Sequence, residues 1–315
     1  MQKLLWMKVA VIVNRGAGSV QAGKVDPEML RQSFLEGGTD AEVQVIPGKG
    51  IAAAAQAAVA AGAEAVVAGG GDGTVRSVAA ALAGGTVPMG VLPIGTLNHF
   101  ARDLGIPTDV AEAARLVPRG VVRMLDLGEV NGEVFVNNSV LGFYPPVVRV
   151  RDHERRQLDR GKWVATASAI LKVLPRMHSL YVRVKADGQV TDWRTHFVFI
   201  GNNEYEMSAF SYGARHRFDS GDLYLYIAKT PTRLGLVGLV LLGLVRDVAQ
   251  TDHFARWCLP ELTIESRRKV LPVYLDGEVA LLRPPLRYRT RARALQVIVP
   301  GPASAPPPSA VESAG

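Results

Sequence analysis

AVVAGGGDGTVRSV, residues 65 to 78, is the stretch whose reading decides the fold. Ala65 to Ala68 form an apolar run that reads as a short buried strand, and three consecutive glycines stop it. After Asp72, Gly73 and Thr74, the run VRSVAAALAGG reads as a helix closed by glycine. A strand that turns through glycine into a helix N-terminus aims backbone N–H groups and the positive end of the helix dipole at one point. That point suits a phosphate. The same glycines also serve a plain tight turn. Asp72 and Thr74 weight the choice toward phosphate.

Outward from this unit, the first third alternates strand and helix. LWMKVAVIVN (5–14) reads as a strand, PEMLRQSFLEGG as a helix, AEVQVIP as a strand and IAAAAQAAVAAGA (51–63) as an alanine-rich helix. VPMGVLPIG (87–95) reads as a further strand and NHFARDLGIP as a short helix stopped at Gly105 and Pro107. This alternation predicts an α/β fold with a parallel sheet covered by helices. Ligands of such sheets gather at the carboxyl ends of the strands, and the turns after Asn14, Ala68 and Pro93 all lie there.

From about Asp126 the pattern changes to strand after strand, with hairpin signals at Asn131-Gly132 and Asp187-Gly188. Helix-like insertions interrupt them near 154–175 and 232–248. The expectation is two domains. Residues 1–122 form a nucleotide-binding α/β domain, and 123–300 form a mainly antiparallel, β-sandwich-like domain whose last strands complete it or return to the first. The tail 301–315, rich in Pro, Ala and Ser, reads as disordered.

Composition narrows the classes. The chain has 315 residues, 48% of them hydrophobic, and one cysteine, Cys258, which excludes an internal disulfide. A reducing compartment is the default. Lys8 interrupts the N-terminal apolar run, which reads better as a first strand than as a signal peptide. The apolar run LGLVGLVLLGLV (234–245), at 12 residues, falls short of a bilayer span and reads as a buried helix or a helix resting on a membrane. A net charge of +7 suits nucleic acid or an anionic membrane surface. The basic clusters at 149–162 and 286–294 carry no recognisable nucleic-acid module, and each reads equally as a solvated face.

Four stretches are candidates to meet at the phosphate site. VNRGAGS brings Asn14, Gly16 and Gly18; GGDGT brings Gly70, Gly71, Asp72, Gly73 and Thr74, with Asp72 a ligand for Mg²⁺; PIGTLNHF brings Gly95, Thr96 and Asn98. LDGE brings Asp276 and Glu278, which in a strand-like run point to the same side; alone, the stretch is also an ordinary turn carrying surface acids. GSVQAGKV (18–25) matches the phosphate-binding P-loop except at Val25, which replaces the Ser or Thr that would hold Mg²⁺, so Lys24 reads as a surface lysine.

GGGDGT, then PIGTLNHFARDLGIP, then VYLDGE much later, with GKWVATASAILKVL between, resembles the bacterial diacylglycerol kinase catalytic family, lipid kinases related to sphingosine kinases. The resemblance runs from the first strand to about Pro300. It implies an α/β domain for the nucleotide, a β-rich domain for the lipid, ATP and Mg²⁺ as phosphoryl donor and metal, and a peripheral position on the inner face of the cytoplasmic membrane. It further implies that Asn14 to Gly18, Gly70 to Thr74 and Thr96 contact nucleotide, that Glu278 is the proton acceptor, and that Asp276 lies beside metal and phosphates. Oligomeric state has no marker here, and a homodimer stays open.

The chain departs from the family pattern at several points. Where x-Asn-Glu usually follows GGDGT it has Val75, Arg76 and Ser77, so Arg76 either contacts phosphate or faces solvent. Asn98-His99 replaces Asn-Asp, and His99 is either a hydrogen-bonding substitute or a helix-capping surface residue. Ile46 and Pro47 stand where a threonine is usual. Ser220 replaces the Asp of the relatives' structural Mg²⁺ site, leaving Asp219 and Asp222 as candidates. The leading reading is a lipid kinase; an NAD kinase-like phosphotransferase, which shares GGDGT, and an inactive nucleotide- or lipid-binding regulator are the alternatives.

Overall fold

A computed structural model of the chain describes residues 8–21, 23, 25–142, 179–205, 215, 217–229, 232, 235 and 253–301. The basic cluster at 149–162, the connector at 161–174, the apolar run at 234–245 apart from Gly235, Lys24 and the tail beyond residue 301 lie outside the described residues.

The N-terminal part is built from β1 (Val9–Asn14), β2 (Ala41–Ile46), β3 (Ala65–Gly70) and β4 (Met89–Pro93). Helices α2 (Pro27–Glu36), α3 (Ile51–Ala60), α4 (Asp72–Leu82), α5 (His99–Asp103) and α6 (Val110–Leu116) connect or follow them, and a four-residue turn of helix, α1 (Gly18–Gln21), follows β1. The strands pair in parallel in the order β2-β1-β3-β4. Every residue of β3 is buried, as suits a strand covered by helices on both faces. Residues 18–25, which spell most of a P-loop, instead begin as α1 and lead into α2, where Asp26 caps Met29 N–H and Pro27 opens the helix.

The later strands are β5 (Val121–Val130), β6 (Glu133–Phe135), β7 (Asn138–Gly142), β8 (Leu180–Ala186), β9 (Gln189–Thr195), β10 (Phe197–Asn202), β11 (Leu223–Ala228), β12 (Phe254–Leu259), β13 (Glu261–Ser266), β14 (Leu271–Leu275), β15 (Glu278–Leu282) and β16 (Leu286–Val299). Six of them form a separate antiparallel sheet, β12-β11-β10-β7-β14-β15. The others extend the first sheet, which is therefore mixed rather than purely parallel: β4 is followed by β16, β13, β8 and β9, with β5 on β16 and β6 on β5. β8 alternates buried and exposed residues along its length, the mark of a strand with one face on a core and one in water.

Two buried clusters result, one under the helices and one between the second sheet and the antiparallel part of the first. β5 and β16 run through both. Leu295, Val297 and Val299 of β16 belong to the helical core, while Leu286 and Tyr288 belong to the sandwich. Between these halves the register of β16 on β5 slips, and Arg293 takes φ 51° with its N–H on Asp126 Oδ1 at 2.7 Å. The arginines of 286–294 lie on this strand; Arg289 is bonded to Glu129, and Arg291 faces it at 3.8 Å.

Candidate active site

Helix α4 begins directly where β3 ends, with Gly71 in extended conformation as its N-cap. Thr74 and Val75 return their N–H groups to Gly71 O, while those of Gly71, Asp72 and Gly73 donate to no protein acceptor among the described residues. A helix start with open donors at the carboxyl edge of a parallel sheet is an anion site by its backbone alone.

The PIGTLNHF loop is fastened to this helix by Asp72. Its two carboxylate oxygens accept the N–H groups of Phe100 (3.2 Å) and His99 (3.3 Å), the first amides of α5. Asn98, the N-cap of α5, makes no cap bond; it sits at φ 50° and closes its own loop instead, taking Gly95 N–H and donating to the carbonyls of Pro93 and Gly95. Asp72 thus caps α5 from another helix. The two loops meet backbone to backbone. A Cβ on Gly95 would stand 2.8 Å from Gly71 N and from Asn98 Oδ1, so neither loop tolerates a side chain there.

Asn14 anchors the first loop. Its Oδ1 accepts Gly16 N–H, and its Nδ2 donates to Thr74 Oγ1 at 3.0 Å. Thr74 is buried and lies under Gly70, so its hydroxyl is a strut between β1 and α4 rather than part of the open surface. Gly16, Gly18 and Thr96 are exposed on that surface. Ser77 bonds back to Gly73 O within the helix.

LDGE is a hairpin, which corrects the reading of it as one strand-like run. Asp276 (φ 49°) and Gly277 (φ 86°) are the two turn residues between β14 and β15, and Leu275 pairs Glu278 across the turn. The two carboxylates separate accordingly. Asp276 turns inward and accepts Val136 N–H (2.8 Å), Asn137 N–H (2.7 Å) and Asn138 N–H (3.1 Å). Burial pushes its carboxyl up to about 6, the three amides oppose that shift, and the charge of Asp72 adds to it. Glu278 reaches across to α4 and lies on Gly73, where a Cβ would stand 2.7 Å from its Cδ. Its Oε2 accepts Arg76 Nη2 at 3.1 Å, so Arg76 neither faces open solvent nor stands alone.

What fixes this meeting is a ring of contacts that no local motif announces. Arg215, 3% exposed, donates to Asp103 Oδ2 at the end of α5, to the carbonyls of Val136 and Asn202, and to Asn137 Oδ1. Its guanidinium packs on the rings of Tyr205 and Phe218. Asn202 donates to the carbonyls of Asp126 and Val136. The ring runs from Asp72 through α5 to Asp103 and Arg215, then to residues 136–138, to Asp276, and back through Glu278 to Gly73. A buried arginine with four acceptors is worth several kcal/mol to keep paired, and its partners lie 13 to 112 positions away in the chain.

The donor set bears on metal. Among the described residues no three His, Cys, Asp or Glu side chains converge, and the region of Ser220 is closed by direct bonds: Ser220 N–H and Oγ both donate to Asn203 Oδ1, and Gly221 N–H donates to Asp126 Oδ2. Asp222 joins the same network through its backbone, its N–H donating to Ser220 Oγ and its carbonyl accepting Asn203 N–H, both at 3.3 Å. At the cleft, Asp72 and Glu278 retain lone pairs for a cation that arrives with phosphate, the usual manner of Mg²⁺; Asp276 already receives three amides.

The model of the diacylglycerol kinase catalytic domain matches residues 8–130. A Pseudomonas aeruginosa PAO1 protein named "Probable lipid kinase YegS-like" is 34% identical over 238 residues, 73% of this chain and 74% of its own. The chain belongs to the diacylglycerol kinase catalytic-domain family. A Bacillus subtilis diacylglycerol kinase is 36% identical over 135 residues, 42% of this chain and 45% of its own. The likeness of fold extends beyond the matched residues: a crystal structure of a diacylglycerol kinase from Bacillus anthracis str. Sterne superposes with TM-score 0.66, covering 95% of this chain and 99% of its own at 22% identity. The chain is accordingly a kinase, and the expected α/β domain with a β-rich second part is its fold.

Proposed function

We propose that the protein transfers the γ-phosphoryl group of ATP to the hydroxyl of a membrane lipid such as diacylglycerol. The observation that carries this is the contact of Glu278 with Gly73, which puts a carboxylate at the open helix N-terminus. A nucleotide's phosphates would lie on the N–H groups of Gly71, Asp72 and Gly73. Mg²⁺ bound with ATP, beside Asp72 and Glu278, would neutralise charge on the transferring group. As the lipid oxygen bonds to the γ-phosphorus, the bond from that phosphorus to the β–γ bridging oxygen breaks and its electron pair leaves on ADP. The hydroxyl proton passes to Glu278 and from there to water.

The acceptor's class is supported by the outer face of the second sheet. Cross-strand pairing sets Val279, Tyr274, Val140, Phe199 and Tyr226 in one row beginning beside Glu278. The rings of Phe197 and Phe199 stack, Tyr226 meets Phe199 and Phe254 edge to face, and the layer runs from buried Val140, Tyr226 and Phe254 to Val279 and Leu281 at its edge, 56% and 72% exposed. An apolar layer whose exposed edge ends at a carboxylate suits an acyl chain with a hydroxyl at its head. A net charge of +7 favours meeting a lipid acceptor on an anionic leaflet at the inner face of the cytoplasmic membrane, and no helix among the described residues is long and apolar enough to cross a membrane.

The test is label transfer from [γ-³²P]ATP to a bacterial lipid extract in mixed micelles, with mass identification of the product. Wild type labels a lipid and Glu278→Gln loses at least about 100-fold. Full activity of Glu278→Gln overturns the proton-acceptor role; phosphorylation of NAD without lipid, or nucleotide binding without any turnover, overturns the lipid kinase.

A further inference from the structure

Arg76 lies four residues after Asp72 and so on the same face of α4. Its guanidinium is 18% exposed and lies between two acids from the β-rich part of the chain: Nη2 donates to Glu278 Oε2 at 3.1 Å, and Nη1 faces Glu133 Oε2 at 3.9 Å. Nε is buried without an acceptor. Glu278 has no other side-chain hydrogen-bond partner among the described residues. It opens β15, which among the described residues is an edge strand paired only with β14, and its side chain is 56% exposed. Left alone, such a side chain samples several rotamers.

We propose that Arg76 is a positioning residue for Glu278: it holds Oε2, so that Oε1, lying against Gly73, is the oxygen that takes the acceptor's proton. This rests on the reading of Glu278 as proton acceptor. With the Glu278 side chain 56% exposed, the pair adds little to folding stability, so its consequence is geometric. The fork of arginine suits the place because one nitrogen engages Glu278 while another faces Glu133; a lysine offers one point of charge and reaches one acid at a time. Glu133 keeps the cation centred, and Arg76 therefore fixes the carboxylate without drawing it away from Gly73.

The experiment uses the full chain, MgATP and dioleoylglycerol or the labelled lipid of the extract in mixed micelles, and compares Arg76→Ala, Arg76→Lys, Glu278→Gln and the Arg76→Ala/Glu278→Gln double variant. Arg76→Ala lowers kcat about 30- to 100-fold with KM for ATP within about twofold, because a carboxylate displaced by about 1 Å forfeits that much rate. Arg76→Lys recovers part of the loss. In the Glu278→Gln background, Arg76→Ala costs less than about twofold more, since the two act as one unit. A crystal structure of Arg76→Ala has the Glu278 carboxylate off Gly73. Full kcat for Arg76→Ala beside an inactive Glu278→Gln overturns the positioning role and leaves the proton acceptor standing. A raised KM with unchanged kcat makes Arg76 a phosphate ligand and overturns it too. If Glu278→Gln is fully active, the proton-acceptor reading itself falls. Should Arg76→Ala fail to fold, Arg76→Gln replaces it in every comparison.

Discussion

Gly73→Ala isolates the position of Glu278 from its chemistry. Gly73 is the second residue of α4 and has ordinary helical backbone, so alanine is conformationally welcome and gains up to about 1 kcal/mol of helix propensity over glycine. Its Cβ, however, would stand 2.7 Å from Glu278 Cδ, and its nearest neighbours are all in that carboxylate. Ordinary carbon contacts lie at about 3.5–4.0 Å, so the carboxylate must retreat by about 1 Å. Because the obstacle is the free end of a half-exposed side chain, the retreat costs rotamer choice and not backbone. The melting temperature should therefore hold or rise by about 2–4 °C. Turnover should fall by about 100-fold, the usual cost of a 1 Å misplacement at a reacting group. Steady-state label transfer and a thermal melt on the same preparation measure both, and KM for ATP, expected within about threefold, separates a displaced Glu278 from a narrowed phosphate cradle. A Gly73→Ala enzyme with kcat within about threefold of wild type would refute the reasoning. So would a melting temperature lowered by more than about 5 °C, which would mean that the backbone bears the clash.

Two further outcomes follow from the buried ring. Asp276 has its carboxyl pushed up to about 6 from an ordinary 3.8, so the folded chain holds this proton more tightly than the unfolded one. The resulting stabilisation is fully present below about pH 4 and is lost as pH rises through 6, a contribution of about 3 kcal/mol. Urea midpoints of the ligand-free protein between pH 4 and 7 should accordingly fall, with rising pH, relative to those of Asp276→Asn; parallel curves would rule this out. Arg215→Met removes the donor to Asp103, Val136, Asn137 and Asn202 and leaves the Asp103 carboxylate buried without its partner. About 3–5 kcal/mol of stability should be lost in urea titration, together with turnover, and a loss under about 1 kcal/mol would show that the ring is not what holds the hairpin in place.

The strand-turn-helix of 65–78, the parallel order it implies and the switch to antiparallel strands after Asp126 were legible because each depends on local periodicity and turn chemistry. So were Asn131-Gly132 and Asp187-Gly188, both of which are two-residue turns with positive φ. Asp276-Gly277 carries the same signal, and reading it as part of a strand put its two acids on one side; the structure sends Asp276 to three backbone amides and Glu278 to Gly73. β12 carried too weak a pattern to be singled out, and nine of the 14 residues of β16 were read as the basic cluster at 286–294.

Residue chemistry was legible where a side chain serves its own loop and illegible where it serves another. Asn98 closes its own loop, whereas the N–H groups at the start of α5 are capped by Asp72 from 27 and 28 positions away. Arg76 looked like either a phosphate ligand or a solvated cation, and its partner proved to be 202 positions downstream. By itself the sequence determined an open helix N-terminus in GGGDGT, because glycines, strand and helix are consecutive and their geometry is set by backbone sterics. Only the tertiary structure decided what faces it. Glu278 lies on Gly73 because a buried arginine, an inward aspartate and a two-residue turn close a ring of desolvated hydrogen bonds, and such bonds are chosen by folding in three dimensions and not by spacing along the chain.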